Sequence, residues 1–117
     1  MHKRWAEKRP LFRCARDPAH AAAWAYLGDV LLREEKPTEA ARALEKAVKL
    51  DSKIRLAHLD LGILSIDSKE YERAKSELDR AIGLDSNKSD AHFQLARMYR
   101  AMGREKEAHA ELEILRG

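Results

Sequence analysis

The chain has 117 residues, one cysteine and a formal net charge of +3, which bounds it to one domain's worth of material or about three and a half short repeats. The charge is uneven: residues 1–20 hold six Lys/Arg against two Asp/Glu, while residues 21–117 hold 17 against 18. The near-neutral body lacks the clustered positive charge of a dedicated nucleic-acid surface. Cys14 alone excludes an intrachain disulfide, and no apolar run approaches the ~20 residues of a membrane span. Charges and Pro10 interrupt any secretory leader, so the expected setting is cytoplasmic.

In chain order, residues 1–20 form a basic N-terminal segment. Asp17-Pro18 precedes Asp51-Ser52, and Ala6 precedes Ala40, by one interval of 34 in the sequence. Residues 3–16 therefore read as the second helix of a degenerate preceding repeat, serving as a cap, with Trp5, Leu11 and Phe12 offering apolar contacts. Pro10 should kink or split it, and a frayed basic arm is the rival reading. Residues 21–54 then carry helical patterns over 21–34 and 37–50, with Pro37 in a first turn where its missing N–H is not needed. Residues 55–88 repeat this over 54–67 and 70–83, and residues 89–117 over 88–101 and 104–115, with Gly103 at the intervening turn. Asp51-Ser52 and Asp85-Ser86-Asn87 supply side chains that cap helices or close turns. Nothing alternates with a period of two, so no sheet is expected.

The interval of 34 recurs at Gly28, Gly62 and Ala96, at Leu27, Leu61 and Leu95, at Ala40, Ala74 and Ala108, and at Leu44, Leu78 and Leu112. Such a fixed period marks stacked supersecondary units rather than one globular core. Small residues facing small residues let two helix axes approach, and the flanking leucines fill the groove beside them. The series Trp24, Leu27, Gly28, Ala40, Leu44 and Ala47 resembles the tetratricopeptide repeat, over residues 21–117. The departures are His58 and His92 in the Trp place, and Ser52 and Ser86 in place of the closing Pro. The resemblance implies an all-α fold, a right-handed α-solenoid of three stacked helix-turn-helix repeats plus the irregular N-terminal segment. It also implies a scaffold that holds a peptide or helix of a protein partner in a concave groove lined by the first helices.

On the second repeat's first helix, Leu56, Leu59, Ile63 and Ile66 form an apolar stripe beside the packing face of His58, Leu61, Gly62 and Ser65. The equivalent stripe includes Asp29 and Leu32 in the first repeat and Phe93, Arg97 and Arg100 in the third. The expected groove is apolar in its middle and basic at its C-terminal end, suited to a partly apolar peptide bearing an acidic group. Chaperone-binding relatives of the resembled family clamp a terminal carboxylate with Lys and Asn. The corresponding places here hold Ala25, Asp29, Asp60, Asp90 and Gln94, and three acids repel a carboxylate.

Other chemistry is not expected. His58 and His92 lack the spacing of metal ligands and read as packing residues. Cys14 lacks a sequence-level base partner, and no phosphate loop, nucleophile motif or carboxylate pair stands out. No enzyme activity, cofactor or metal is expected. Asn87-Lys88-Ser89 matches a glycosylation sequon that matters only in a secretory compartment. The second function class is a nucleic-acid-associated adaptor using the basic, aromatic arm that includes Lys3, Arg4, Trp5, Lys8 and Arg9. Leu112 and Leu115 carry no polar capping helix, so either a longer repeat array or end-to-end self-association is expected.

Overall fold

The structure, a computed structural model, describes residues 20–116. The N-terminal cap of residues 3–16, the basic arm and Cys14 lie outside the described residues. Those described form six helices and no strand: α1 (Ala21–Arg33), α2 (Pro37–Leu50), α3 (Arg55–Asp67), α4 (Tyr71–Leu84), α5 (Asp90–Ala101) and α6 (Glu105–Arg116). Each helix ends within two residues of the periodicity-based expectation at either terminus. The fold class is all-α helical repeat, and the chain divides into two compact units, Met1–Ala57 and His58–Gly117.

The same turn is built three times. Glu35, Lys69 and Gly103, spaced one repeat period apart, have φ of 60°, 64° and 80°. In each case two backbone N–H groups reach back to close the helix. Glu35 N donates to Leu32 O and Lys36 N to Leu31 O; Lys69 N donates to Ile66 O and Glu70 N to Ser65 O; Gly103 N donates to Arg100 O and Arg104 N to Tyr99 O. This is the Schellman arrangement, which satisfies carbonyls that a helix end leaves open. Only the third repeat uses the residue that tolerates left-handed φ without a Cβ penalty. Between repeats, the Asp51 Oδ1 accepts from Lys53 N at 2.9 Å and the Asp85 Oδ1 accepts from Asn87 N at 3.0 Å. These Asx turns re-aim the chain without help from the closing Pro of the resembled family.

In the first unit α1 packs on α2. A Cβ on Gly28 would fall 2.5 Å from Leu44 Cγ and 3.3 Å from the Ala40 carbonyl oxygen. The glycine is therefore required by the approach of α2, whose Ala40, Leu44 and Ala47 are fully buried. Lys46 Nζ lies 5.8 Å from the Trp24 ring centroid, a cation–π contact that keeps the lysine stem over the half-buried indole. The second unit repeats the device at Gly62, where a Cβ would lie 2.7 Å from Leu78 Cγ. Its core gathers Leu59 and Ile66 of α3, Ala74, Leu78 and Ala81 of α4, and Ala91, Leu95, Ala96, Met98 and Tyr99 of α5, with Ala108 of α6. At the third position Ala96 stands in place of glycine, and Leu112 opposite is only half-buried.

Leu27 departs from expectation. The period gives it the packing role of Leu61 and Leu95, both buried, yet it is 45% exposed. Its neighbours Tyr26 and Val30 are also exposed large side chains. The helical wheel places these residues correctly on one face, but a face is buried only when another element lies on it.

Candidate functional site

The expected groove residues divide sharply by environment. In the first unit, Asp29 pairs with Arg33 at 3.0 Å within α1, and Leu32 and Leu56 are half-buried. In the second unit, Leu59 and Ile66 are 8% and 4% exposed and belong to the core. Ile63 between them is partly buried and packs against that same core. The free apolar stripe expected on α3 is therefore structural at Leu59 and Ile66. The reason is visible in the composition of α3, which is apolar around most of its circumference. A helix of that kind is buried on several sides rather than on one.

The α5 residues behave differently. Phe93 is 54% exposed, and Arg97 and Arg100 are exposed as well. Their spacing of i, i+4, i+7 aligns them on one face of the helix. The opposite positions Leu95, Met98 and Tyr99 hold the helix to the core, so the aromatic ring and two guanidinium groups sit on a rigid support. Arg97 is oriented from two sides: its Nε donates to Gln94 Oε1 at 2.9 Å and its Nη1 to Asp67 Oδ1 at 3.4 Å. Asp67 ends α3, so this pair spans the two first helices of the unit. Arg100 Nε lies 3.9 Å from Glu105 Oε1, with both side chains open to water. Exposed pairs of this kind are weak and screened, and an incoming carboxylate with better geometry can replace them.

Two features escaped sequence reasoning. His58 Nδ1 lies 2.7 Å from Glu77 Oε1 and His92 Nδ1 lies 2.7 Å from Glu111 Oε1. These cross-helix hydrogen bonds, rather than ring packing alone, occupy the Trp position of the later repeats. The signal was present, because each Glu follows its His at i+19, whereas the first repeat has Trp24 and Ala43 at those places. The second feature is a cavity of about 540 Å³ between α4 and α5, floored by Tyr71, Met98, Tyr99 and Met102. At its rim the Asp79 carboxylate accepts a hydrogen bond from Lys75 Nζ at 2.7 Å and holds the lysine pKa above its ordinary value. Its residues come from the second helix of one repeat and the first of the next, a junction that a single-helix wheel does not display.

Among the described residues no group of three or more His, Cys, Asp or Glu could hold a metal ion. Among them, too, no helix is long and apolar enough to cross a membrane. Asp60, one of the three acids weighed against a carboxylate clamp, is buried; Asp90 is exposed in the first turn of α5.

No curated protein matches the chain in sequence. Among solved structures it is similar to a crystal structure of MamA, with 30% identity and a TM-score of 0.74, over 83% of this chain and 57% of that one. The chain thus spans little more than half the length of that protein. It is also similar to the second tetratricopeptide domain of Spaghetti (RPAP3) bound to the HSP90 peptide SRMEEVD, with 20% identity and a TM-score of 0.75, over 86% of this chain and 94% of that one. A charge-reversed point mutant of MamA matches at 23% identity and a TM-score of 0.74, over 86% and 73% of the two chains. The family model for the middle TPR-like domain of cilia and flagella-associated protein 70 matches residues 3–116. With the period, the three Schellman turns and the paired-helix repeats already in place, the chain belongs to this tetratricopeptide-like family.

Proposed function

We propose that the protein is an interaction scaffold that holds an extended or helical segment of a protein partner against α5, with no chemistry of its own. The observation that carries this reading is the exposed Phe93–Arg97–Arg100 face on a helix whose other side is core. An aromatic ring beside two guanidinium groups suits a partner segment with one apolar anchor and one or two carboxylates about a helical turn away. The groove reading is thereby narrowed: Phe93, Arg97 and Arg100 are the contact residues, Ile63 is partly buried, and Leu59 and Ile66 belong to the core that holds the other side of α5. The Spaghetti domain, which shares the fold, was solved bound to a peptide, which supports a peptide segment as the class of partner.

The test is selection from a displayed library of random ten-residue peptides, followed by titration of the recovered peptides against three forms of the protein. The native chain should enrich sequences that combine an apolar residue with Asp or Glu. A Phe93→Ser/Arg97→Glu/Arg100→Glu variant should lose binding while keeping its helical content, and Tyr26→Ser on α1 should bind as the native chain does. Unchanged binding by the triple variant would show that the partner surface lies elsewhere.

A further inference from the structure

The side of α5 turned away from Phe93 borders a separate recess. Met98, Tyr99 and Met102 lie about half a turn round the helix from Phe93, Arg97 and Arg100, and with Tyr71 of α4 they floor the cavity of about 540 Å³ between the two helices. That volume is within the roughly 300–1,000 Å³ of clefts that hold organic ligands. Met98 and Tyr99 are buried, whereas Tyr71 and Met102 are half-buried. Glu72, Lys75, Ser76 and Asp79 on the α4 side are all exposed, so the recess is open along that helix and admits a chain. Its lining also departs from the repeat: Tyr71, Tyr99, Met102 and Arg104 stand where the preceding repeat has Pro37, Ser65, Ser68 and Glu70. Packing shared between repeats therefore does not call for these side chains.

The charges at the rim select the occupant. Lys75 Nζ is held by Asp79 Oδ2 at 2.7 Å, and Glu72 stands in the first turn of α4, where the positive end of the helix stabilises a carboxylate. Arg104 differs. Its backbone N donates to Tyr99 O at 2.7 Å, which fixes it beside the floor of the cavity. Glu105, its neighbour in sequence, lies toward Arg100 instead, and among the described residues no carboxylate pairs with the Arg104 guanidinium. Two tyrosine rings and two thioethers suit an aromatic side chain, and an unpaired guanidinium suits a carboxylate. We propose that this cleft is a second binding site, distinct from the Phe93 face, which takes an aromatic side chain of a partner protein with an Asp or Glu next to it in the partner's chain.

The probe is a blocked Ala-Trp-Glu tripeptide, titrated by amide NMR against the native chain and against Phe93→Ser/Arg97→Glu/Arg100→Glu, which lacks the other acid-binding face. In both, saturable shifts should centre on Tyr71, Lys75, Met102 and Arg104. The same tripeptide with Lys in place of Glu should bind this cleft about 3-fold more weakly or less, as the strength of exposed charge pairs implies. Arg104→Glu should reverse that order. The variant should fold, because Glu70 holds the equivalent place in the preceding repeat and its backbone N makes the equivalent hydrogen bond, to Ser65 O. Ser76→Trp, made at an exposed position on α4, should fill the cleft and remove the shifts. Shifts absent from these amides, equal affinity for the two tripeptides, or an order that survives Arg104→Glu would each overturn the proposal. Titration of the triple variant is independent of the Phe93 face, so the two sites stand or fail separately.

Discussion

The helices α3 and α5 occupy the same place in successive repeats and use it in opposite ways. Leu59, Ile63 and Ile66 on α3 stand one repeat period before Phe93, Arg97 and Arg100 on α5. On α3 two of the three are core and the other is packed against it; on α5 all three are exposed. The period therefore controls which residues join helices into a repeat, at the glycine, alanine and leucine positions. It leaves the remaining face free to serve either stability or recognition. A face that departs from the repeat and is also exposed is available for recognition, and the Phe93, Arg97 and Arg100 face of α5 meets both conditions.

The largest expected effect separates the two helices outright. Leu59→Ala or Ile66→Ala should each destabilise the protein by about 2–5 kcal/mol through loss of burial plus a residual cavity. Phe93→Ala on α5 should remain within about 0.5 kcal/mol of the native protein. Denaturant midpoints measured at constant slope check both, and a strongly destabilised Phe93→Ala would mean that the α5 face is structural after all.

Next in size is the close approach of the paired helices. Gly62→Val should cost about 1–3 kcal/mol, since Leu78 already lies where its Cβ must go and its branched side chain overpacks the seam. Ala96 shows the contrast, because a Cβ is accommodated there and Leu112 is half-buried rather than fully buried. Enlarging Leu78 in the native background should hurt, whereas Leu112→Met should be tolerated within about 1.5 kcal/mol. Thermal melts of both pairs would reveal a rigid α3 seam and a looser α5 seam, or refute that distinction.

The histidine pairs give a finer test of the same contrast. The side chain of His58 is 7% exposed and that of His92 is 15% exposed. Glu77→Ala should therefore cost more than Glu111→Ala, each on the order of 1–3 kcal/mol for removing the acceptor of a part-buried group. A His92→Trp/Glu111→Ala double variant copies the Trp24–Ala43 arrangement of the first repeat and should recover part of the loss. Failure to recover, in a double-mutant cycle read by thermal denaturation, would show that the two solutions are not interchangeable.

Much of this was legible in the sequence because repeats average out local ambiguity. Gly28 with Leu44 and Gly62 with Leu78 announced the tight seams, and the helix limits followed from the period. Burial was not legible wherever it depended on which elements cover a face. Leu59, Ile66 and Leu27 each lie on the face that the wheel gives them, yet the first two are core and the third is open. The His–Glu pairs were missed for a different reason: an i, i+19 separation crosses a turn, so no single-helix pattern contains it.

The smallest effect concerns the turns that follow the two first helices whose C′ residue is not glycine. Lys69 closes α3 in the left-handed region with φ of 64°, where Gly103 closes α5 with φ of 80°. The flanking hydrogen bonds are of the same kind in both, so the difference is confined to the cost of a Cβ at positive φ. Lys69→Gly relieves that cost but adds backbone freedom to the unfolded chain, and the two oppose each other. The Cβ penalty of roughly 1–2 kcal/mol exceeds the entropic cost of roughly 0.5–1 kcal/mol. A net gain of about 0.5 kcal/mol is therefore expected, with Gly103→Lys losing a similar amount, within the range measured for such exchanges. Lys69 is exposed, and its side chain makes no contact in the core cluster, so a loss of stability in Lys69→Gly would show that unfolded-state entropy outweighs the strain at this turn.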